Sequence, residues 1–104
     1  MVTIVQPGSF RTGFAHTAFQ EAALKIDDYQ ATSGAFRERM RAVDGKQEGD
    51  PVKAAQAIVS MVNTENPPLR LPLGKVPMTT IQMKLDSVKK DLEDGRLVAE
   101  SVVF

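Results

Sequence analysis

Met1-Val2-Thr3-Ile4-Val5-Gln6-Pro7-Gly8-Ser9-Phe10-Arg11-Thr12 is the stretch whose reading decides the fold. Val2, Thr3, Ile4 and Val5 are all β-branched, which favours a strand, and Pro7-Gly8 stops it, so the expected strand is 2–6. Val2 and Ile4 point to one face and Val5 to the other, so both faces carry apolar groups. A strand with one face in water would alternate more cleanly. This one fits the middle of a parallel sheet covered by helices on both sides. Ligands of open α/β sheets bind just beyond the carboxyl ends of the strands, which makes residues 7–12 a candidate site.

The same stretch resembles the segment after the catalytic helix in short-chain dehydrogenases/reductases. There a strand ends in Pro-Gly and a Thr follows four residues after the Gly, here Pro7, Gly8 and Thr12. Two later stretches extend the resemblance: Gly49-Asp50-Pro51-Val52-Lys53-Ala54-Ala55 and Pro67-Pro68-Leu69-Arg70-Leu71-Pro72-Leu73-Gly74. In this order and at this distance they are similar to a hydroxysteroid-dehydrogenase-like branch. The resemblance covers nearly all of the chain but only about the last third of a family member. It implies NAD or NADP as cofactor, with Pro7, Gly8 and the backbone of Phe10 holding the nicotinamide carboxamide and the Thr12 hydroxyl adding a polar contact. It also implies that the segment after the Pro-Gly strand is a substrate lid, with Phe10, Phe14 and Phe19 as candidates to line the pocket. The competing reading of these rings is helix-to-sheet packing, and that of Thr12 is a helix cap.

Other parts of the family pattern are not in this sequence. No Gly-rich turn follows a strand to take a dinucleotide pyrophosphate. Tyr29 is the only tyrosine, and Ser33, not a lysine, stands four residues on, so the Tyr-x-x-x-Lys acid/base pair is absent. No catalytic residue is therefore assigned. The expectation is the C-terminal portion of an oxidoreductase, inactive alone.

At 104 residues the chain has the length of a single domain, 1–104. Thirteen basic and thirteen acidic residues cancel, which gives no reason to expect nucleic acid or an anionic membrane as partner. No apolar run approaches the roughly 20 residues of a membrane span, and the start lacks the pattern of a signal peptide. The absence of cysteine excludes a disulfide framework and is compatible with the cytoplasm.

Along the chain, Phe14, Ala18, Phe19, Ala22, Ala23 and Ile26 suit a loosely amphipathic helix over 13–26. A second helix is expected from about Ser33, with Phe36, Met40 and Val43 as its apolar stripe and Gly45 as a left-handed cap. The cluster Arg37, Arg39 and Arg41, with Glu38 among them, reads as a solvated helix face. Asp50-Pro51 is a strong helix start, an N-cap carboxylate followed by a proline whose missing N–H costs nothing there. Val52, Ala55, Ile58, Val59 and Val62 form the expected inner face. Leu69, Leu71 and Leu73 alternate as a strand over 69–73, at an edge or ending at Pro72. A last helix is expected over 77–93, with Met78, Ile81, Leu85, Val88 and Leu92 as its stripe and Gly95 as its end.

The expected class is thus α/β, a partial Rossmann-type three-layer fold with two parallel strands (2–6 and 69–73) and about four helices. His16 is the only histidine, and without cysteine it offers no metal-ligand set, so no metal site is expected. Asp27-Asp28 reads as a solvated junction. The resemblance implies a small-molecule alcohol or carbonyl as substrate of the full-length form. The alternatives are a non-catalytic interaction or dimerisation module pairing copies through the last strand and helix, and an inactive truncated product.

Overall fold

The computed structural model describes residues 1–104. It contains two strands, β1 (Ile4–Pro7) and β2 (Arg70–Leu73), and three α-helices, α1 (Ala35–Val43), α2 (Pro51–Val62) and α3 (Lys75–Glu100). Short turns fill much of the rest, a 3-10 turn at Gly13–Ala15, another at Asp27–Tyr29 and a wide π-type turn at Gln30–Gly34. The chain groups into two compact units, one of Met1–Gly8 with Leu69–Phe104 and one of Ser9–Pro68.

In the first unit β1 and β2 form a two-stranded parallel sheet, with Ile4 opposite Arg70, Val5 opposite Leu71, Gln6 opposite Pro72 and Pro7 opposite Leu73. The α/β class and the parallel pairing expected from the sequence are both present. Each strand is slightly displaced from its expected bounds, because pairing rather than composition defines its ends. The apolar faces of β1 are not sealed: Ile4 is 45% and Val5 37% exposed. β2 is better covered, with Leu71, Pro72 and Leu73 half-buried.

Gly74, at φ 114°, turns β2 into α3 with no intervening loop. That conformation is available to glycine at little cost and strained for other residues. α3 then runs 26 residues, straight through Gly95, which was expected to end it. Glycine costs a helix only about 0.5–1 kcal/mol relative to alanine, and ion pairs four residues apart act against it. Those pairs are Lys89–Glu93, Lys90–Asp94 and Arg96–Glu100, joined by a Gln82–Asp86 hydrogen bond. Of the expected apolar stripe only Ile81 is half-buried; Met78, Leu85, Val88 and Leu92 are exposed.

In the second unit the helix expected over 13–26 shrinks to the 3-10 turn Gly13–Ala15. The Gly13 carbonyl is taken by the amides of His16 and Ala18 and by the Thr17 hydroxyl, so no α-helical register starts. A helical segment holds mainly through packing of its apolar face, and here only Ala15 is buried while Phe14 and Ile26 are exposed. α2 begins as expected: Asp50 Oδ1 accepts from the amides of Val52 (2.9 Å) and Lys53 (3.3 Å), with Pro51 as the first helical residue. Its inner row differs from the expected one. Ala54, Ala57 and Met61 are half-buried, whereas Val52, Val59 and Val62 are exposed. Gly45 adopts the left-handed conformation, φ 71°, after α1.

Candidate functional site

The carboxyl end of the sheet is built by Pro7-Gly8 and Leu73-Gly74. The Gly8 amide donates to the Leu73 carbonyl at 2.8 Å, extending the ladder one step beyond the last paired residues. A Cβ on Gly8 would lie 2.8 Å from Cδ of Pro77, a buried residue in the first turn of α3. Glycine is therefore required at position 8 by the approach of that helix turn to the strand end.

Phe10 and Gly49 form an isolated parallel bridge. The Gly49 amide donates to the Ser9 carbonyl (3.1 Å), and the Gly49 carbonyl accepts from the Arg11 amide (2.9 Å). In this geometry the amide and carbonyl of Phe10 itself take no part in the bridge and turn the other way. The Arg11 guanidinium adds a fork onto the Gln47 carbonyl, Nε at 3.2 Å and Nη2 at 3.0 Å. Gln47 is buried, and its Oε1 has no hydrogen-bond partner. The segment carrying Phe10 is thus clamped on one side and leaves one donor and one acceptor of the same residue on the other.

Thr12 is an N-cap. Its backbone is extended and its Oγ1 accepts from the Phe14 amide at 3.3 Å, which starts the Gly13–Ala15 turn. The hydroxyl proton is not used by that bond and can still be donated.

The two lid candidates separate. Phe14 is 63% exposed. Phe19 lines an open hollow of about 480 Å³ together with Gln20, Glu21, Ala22, Thr32, Ser33, Phe36 and Arg37. At its rim Glu21 collects three cations. Arg41 Nη2 contacts both carboxylate oxygens (2.6 and 2.7 Å), Lys25 Nζ lies at 3.3 Å and Arg37 Nε at 3.7 Å. Burial alone would raise the Glu21 pKa, but hydrogen bonds from Lys25 and Arg41 and the charges of both residues outweigh it and hold the carboxyl below its usual value. The arginine cluster read as a solvated face thus contributes two members to an ion cluster. The Glu21–Lys25 spacing of four residues is the one hint of it in the sequence; Arg41 lies 20 residues from Glu21.

His16 Nδ1 sits 3.2 Å from Asp44 Oδ2 with the imidazole largely in water. Tyr29 is exposed at the end of the Asp27–Tyr29 turn. No three His, Cys, Asp or Glu side chains gather as a metal site. No helix is long and apolar enough to cross a membrane.

Comparison with known proteins bears on what this arrangement belongs to. No family model matches the chain. A solved short-chain dehydrogenase from Streptomyces avermitilis superposes with a TM-score of 0.70 and 34% identity over 99% of this chain and 36% of that one. The chain is similar to part of a short-chain dehydrogenase. An oxidoreductase of Botryotinia fuckeliana is 36% identical over 73 residues, which are 70% of this chain and 26% of that protein. An uncharacterised oxidoreductase of Schizosaccharomyces pombe is 30% identical over 101 residues, 97% of this chain and 34% of that protein. The chain therefore spans about a quarter to a third of the length of the curated relatives it matches. The short-chain-dehydrogenase likeness covers both compact units, and the two parallel strands with their helices are a partial Rossmann-like fold of that kind.

Proposed function

We propose that this chain supplies the nicotinamide-side turn and the substrate-side segment of an NAD(P)-dependent oxidoreductase of the short-chain dehydrogenase type. In this reading the full-length form works in the cytoplasm, within the hydroxysteroid-dehydrogenase-like branch, on a small-molecule alcohol or carbonyl. Pro7, Gly8, Phe10 and Thr12 hold the nicotinamide end of NAD or NADP, and Phe14 and Phe19 belong to the lid.

The observation that carries this reading is the backbone of Phe10. A primary carboxamide needs one acceptor for its N–H and one donor for its carbonyl. Phe10 offers that pair, turned away from its bridge with Gly49. The free Thr12 hydroxyl proton adds a second donor type in the same segment. The cofactor, when bound, supplies or accepts a hydride. The residues of this chain bind and orient it; no proton-transfer role is assigned to Tyr29, which is exposed and has Ser33 four residues on. The purified 104-residue chain is accordingly expected to give no steady alcohol oxidation with either cofactor.

The test uses reduced nicotinamide mononucleotide, the nicotinamide half of the cofactor, followed by its own fluorescence. Saturable enhancement by the chain is expected. Phe10→Pro, which deletes the donor, should abolish it, and Thr12→Val should weaken it several-fold. No saturable binding, or binding indifferent to both substitutions, rejects the reading.

Exposed Leu69, next to β2, and the exposed apolar residues of α3 favour a second role, association of copies through the last strand and helix. Sedimentation at several concentrations tests it: a monomer at every concentration removes it.

A further inference from the structure

The hollow between Phe19 and Phe36 contains a charge arrangement that the cofactor reading does not use. Three cations, Lys25, Arg37 and Arg41, face one carboxylate, Glu21. Arg41 and Lys25 make the close contacts. Arg37 reaches Glu21 only through Nε at 3.7 Å, too far for a hydrogen bond, although its side chain is just 21% exposed. A guanidinium has five N–H donors in a planar fork, and those of Arg37 are reached by solvent at the hollow, where they are open to a ligand's acceptors. Ser33, four residues before Arg37 and on the same wall, brings a hydroxyl to the hollow. Phe19, Phe36 and Ala22 supply the apolar remainder. The hollow is open to solvent, and its volume of about 480 Å³ falls within the range of small-molecule sites.

We infer that this hollow binds an amphipathic monocarboxylate, its aromatic or acyl body between Phe19 and Phe36 and its carboxylate on the Arg37 fork and the Ser33 hydroxyl. A carboxylate matches a guanidinium in two parallel hydrogen bonds, the geometry Glu21 does not give Arg37. Glu21 lines the same hollow, but Arg41 and Lys25 already neutralise it, so the local surplus is positive. That this ligand is the substrate rests on the oxidoreductase reading; the binding itself does not.

The experiment is equilibrium dialysis of the 104-residue chain with 3-phenylpropanoate and with the uncharged 3-phenylpropanamide. The acid should bind at least tenfold more tightly than the amide. Arg37→Gln should remove the difference, and Arg37→Lys, which keeps the charge but not the fork, should keep part of it. Equal binding of acid and amide, no binding of either, or an unchanged preference in Arg37→Gln overturns the inference. The comparison on the parent chain needs no variant to fold. Failure here leaves the nicotinamide test untouched, since that test reads Phe10 and Thr12.

Discussion

A methyl group on Gly49 would lie 2.5 Å from Cδ1 of Phe10 and 2.7 Å from the Ser9 carbonyl oxygen. The Phe10 ring thus occupies the space a side chain at position 49 would need, and the bridge between the two residues depends on that vacancy. Gly49→Ala should lower stability by about 1–3 kcal/mol, the usual range for overpacking, because the Ser9 carbonyl is backbone and cannot rotate away. Urea unfolding measures it; a variant as stable as the parent would show that the bridge does not depend on the missing side chain.

Gly8 presents the same constraint in the other compact unit, with Pro77 as the obstacle at 2.8 Å. Gly8→Ala is expected to cost about 1–3 kcal/mol. Combined with Pro77→Ala it should cost less than the two single changes added together, since the second removes the atoms the first collides with. Strict additivity in this cycle would mean that the contact is not what keeps glycine at position 8.

Gly95 tests the length of α3. It lies inside the helix, and a Cβ there meets nothing within 4 Å. Gly95→Ala should stabilise the chain by about 0.5–1 kcal/mol and leave its helical circular dichroism intact or slightly larger. Destabilisation would place the helix end at Gly95 after all.

Glu21 makes the ion cluster sensitive to acid. Its folded-state pKa lies below its unfolded value, so the cluster contributes stability that is complete above the ordinary carboxylate range. That contribution disappears as pH falls through the lowered value. Thermal melts between pH 7 and pH 3 should therefore show a steeper acid loss in the parent than in Glu21→Gln. The variant should already be weaker at pH 7. Parallel pH profiles for the two would remove Glu21 from the account.

Ile4 is 45% exposed on β1, and its pairing to β2 runs through its backbone, with its amide donating to the Leu69 carbonyl at 2.6 Å. Both strands of a two-stranded sheet have an outer edge, and an apolar edge invites association. Ile4→Lys should leave the fold in place and shift sedimentation towards monomer. Loss of the cooperative melt in this variant would mean that the Ile4 side chain is buried in solution, in the chain or against a copy of it.

The features legible in the sequence are those set by neighbours along the chain. The β-branched run ending at Pro7-Gly8, the alternating leucines of β2 and the Asp50-Pro51 helix start are local rules of sterics and hydrogen bonding, and they place the helix start as found and each strand close to its observed bounds. Apolar groups on both faces of the first strand, with helical pattern before the second, also pointed to parallel pairing. Other features depend on partners distant in sequence. Residues 13–26 carry a helical pattern but bury too little of it to hold a helix. α3 passes Gly95 because its side-chain pairs offset one unfavourable residue. In α2 the half-buried positions are Ala54, Ala57 and Met61 rather than the larger valines, which no count of hydrophobicity records. The Glu21 cluster joins residues up to 20 positions apart, and the clamp of Arg11 on Gln47 spans 36. Such contacts follow no periodic pattern, so only the folded backbone brings their charges, and the hollow beside Glu21, into being.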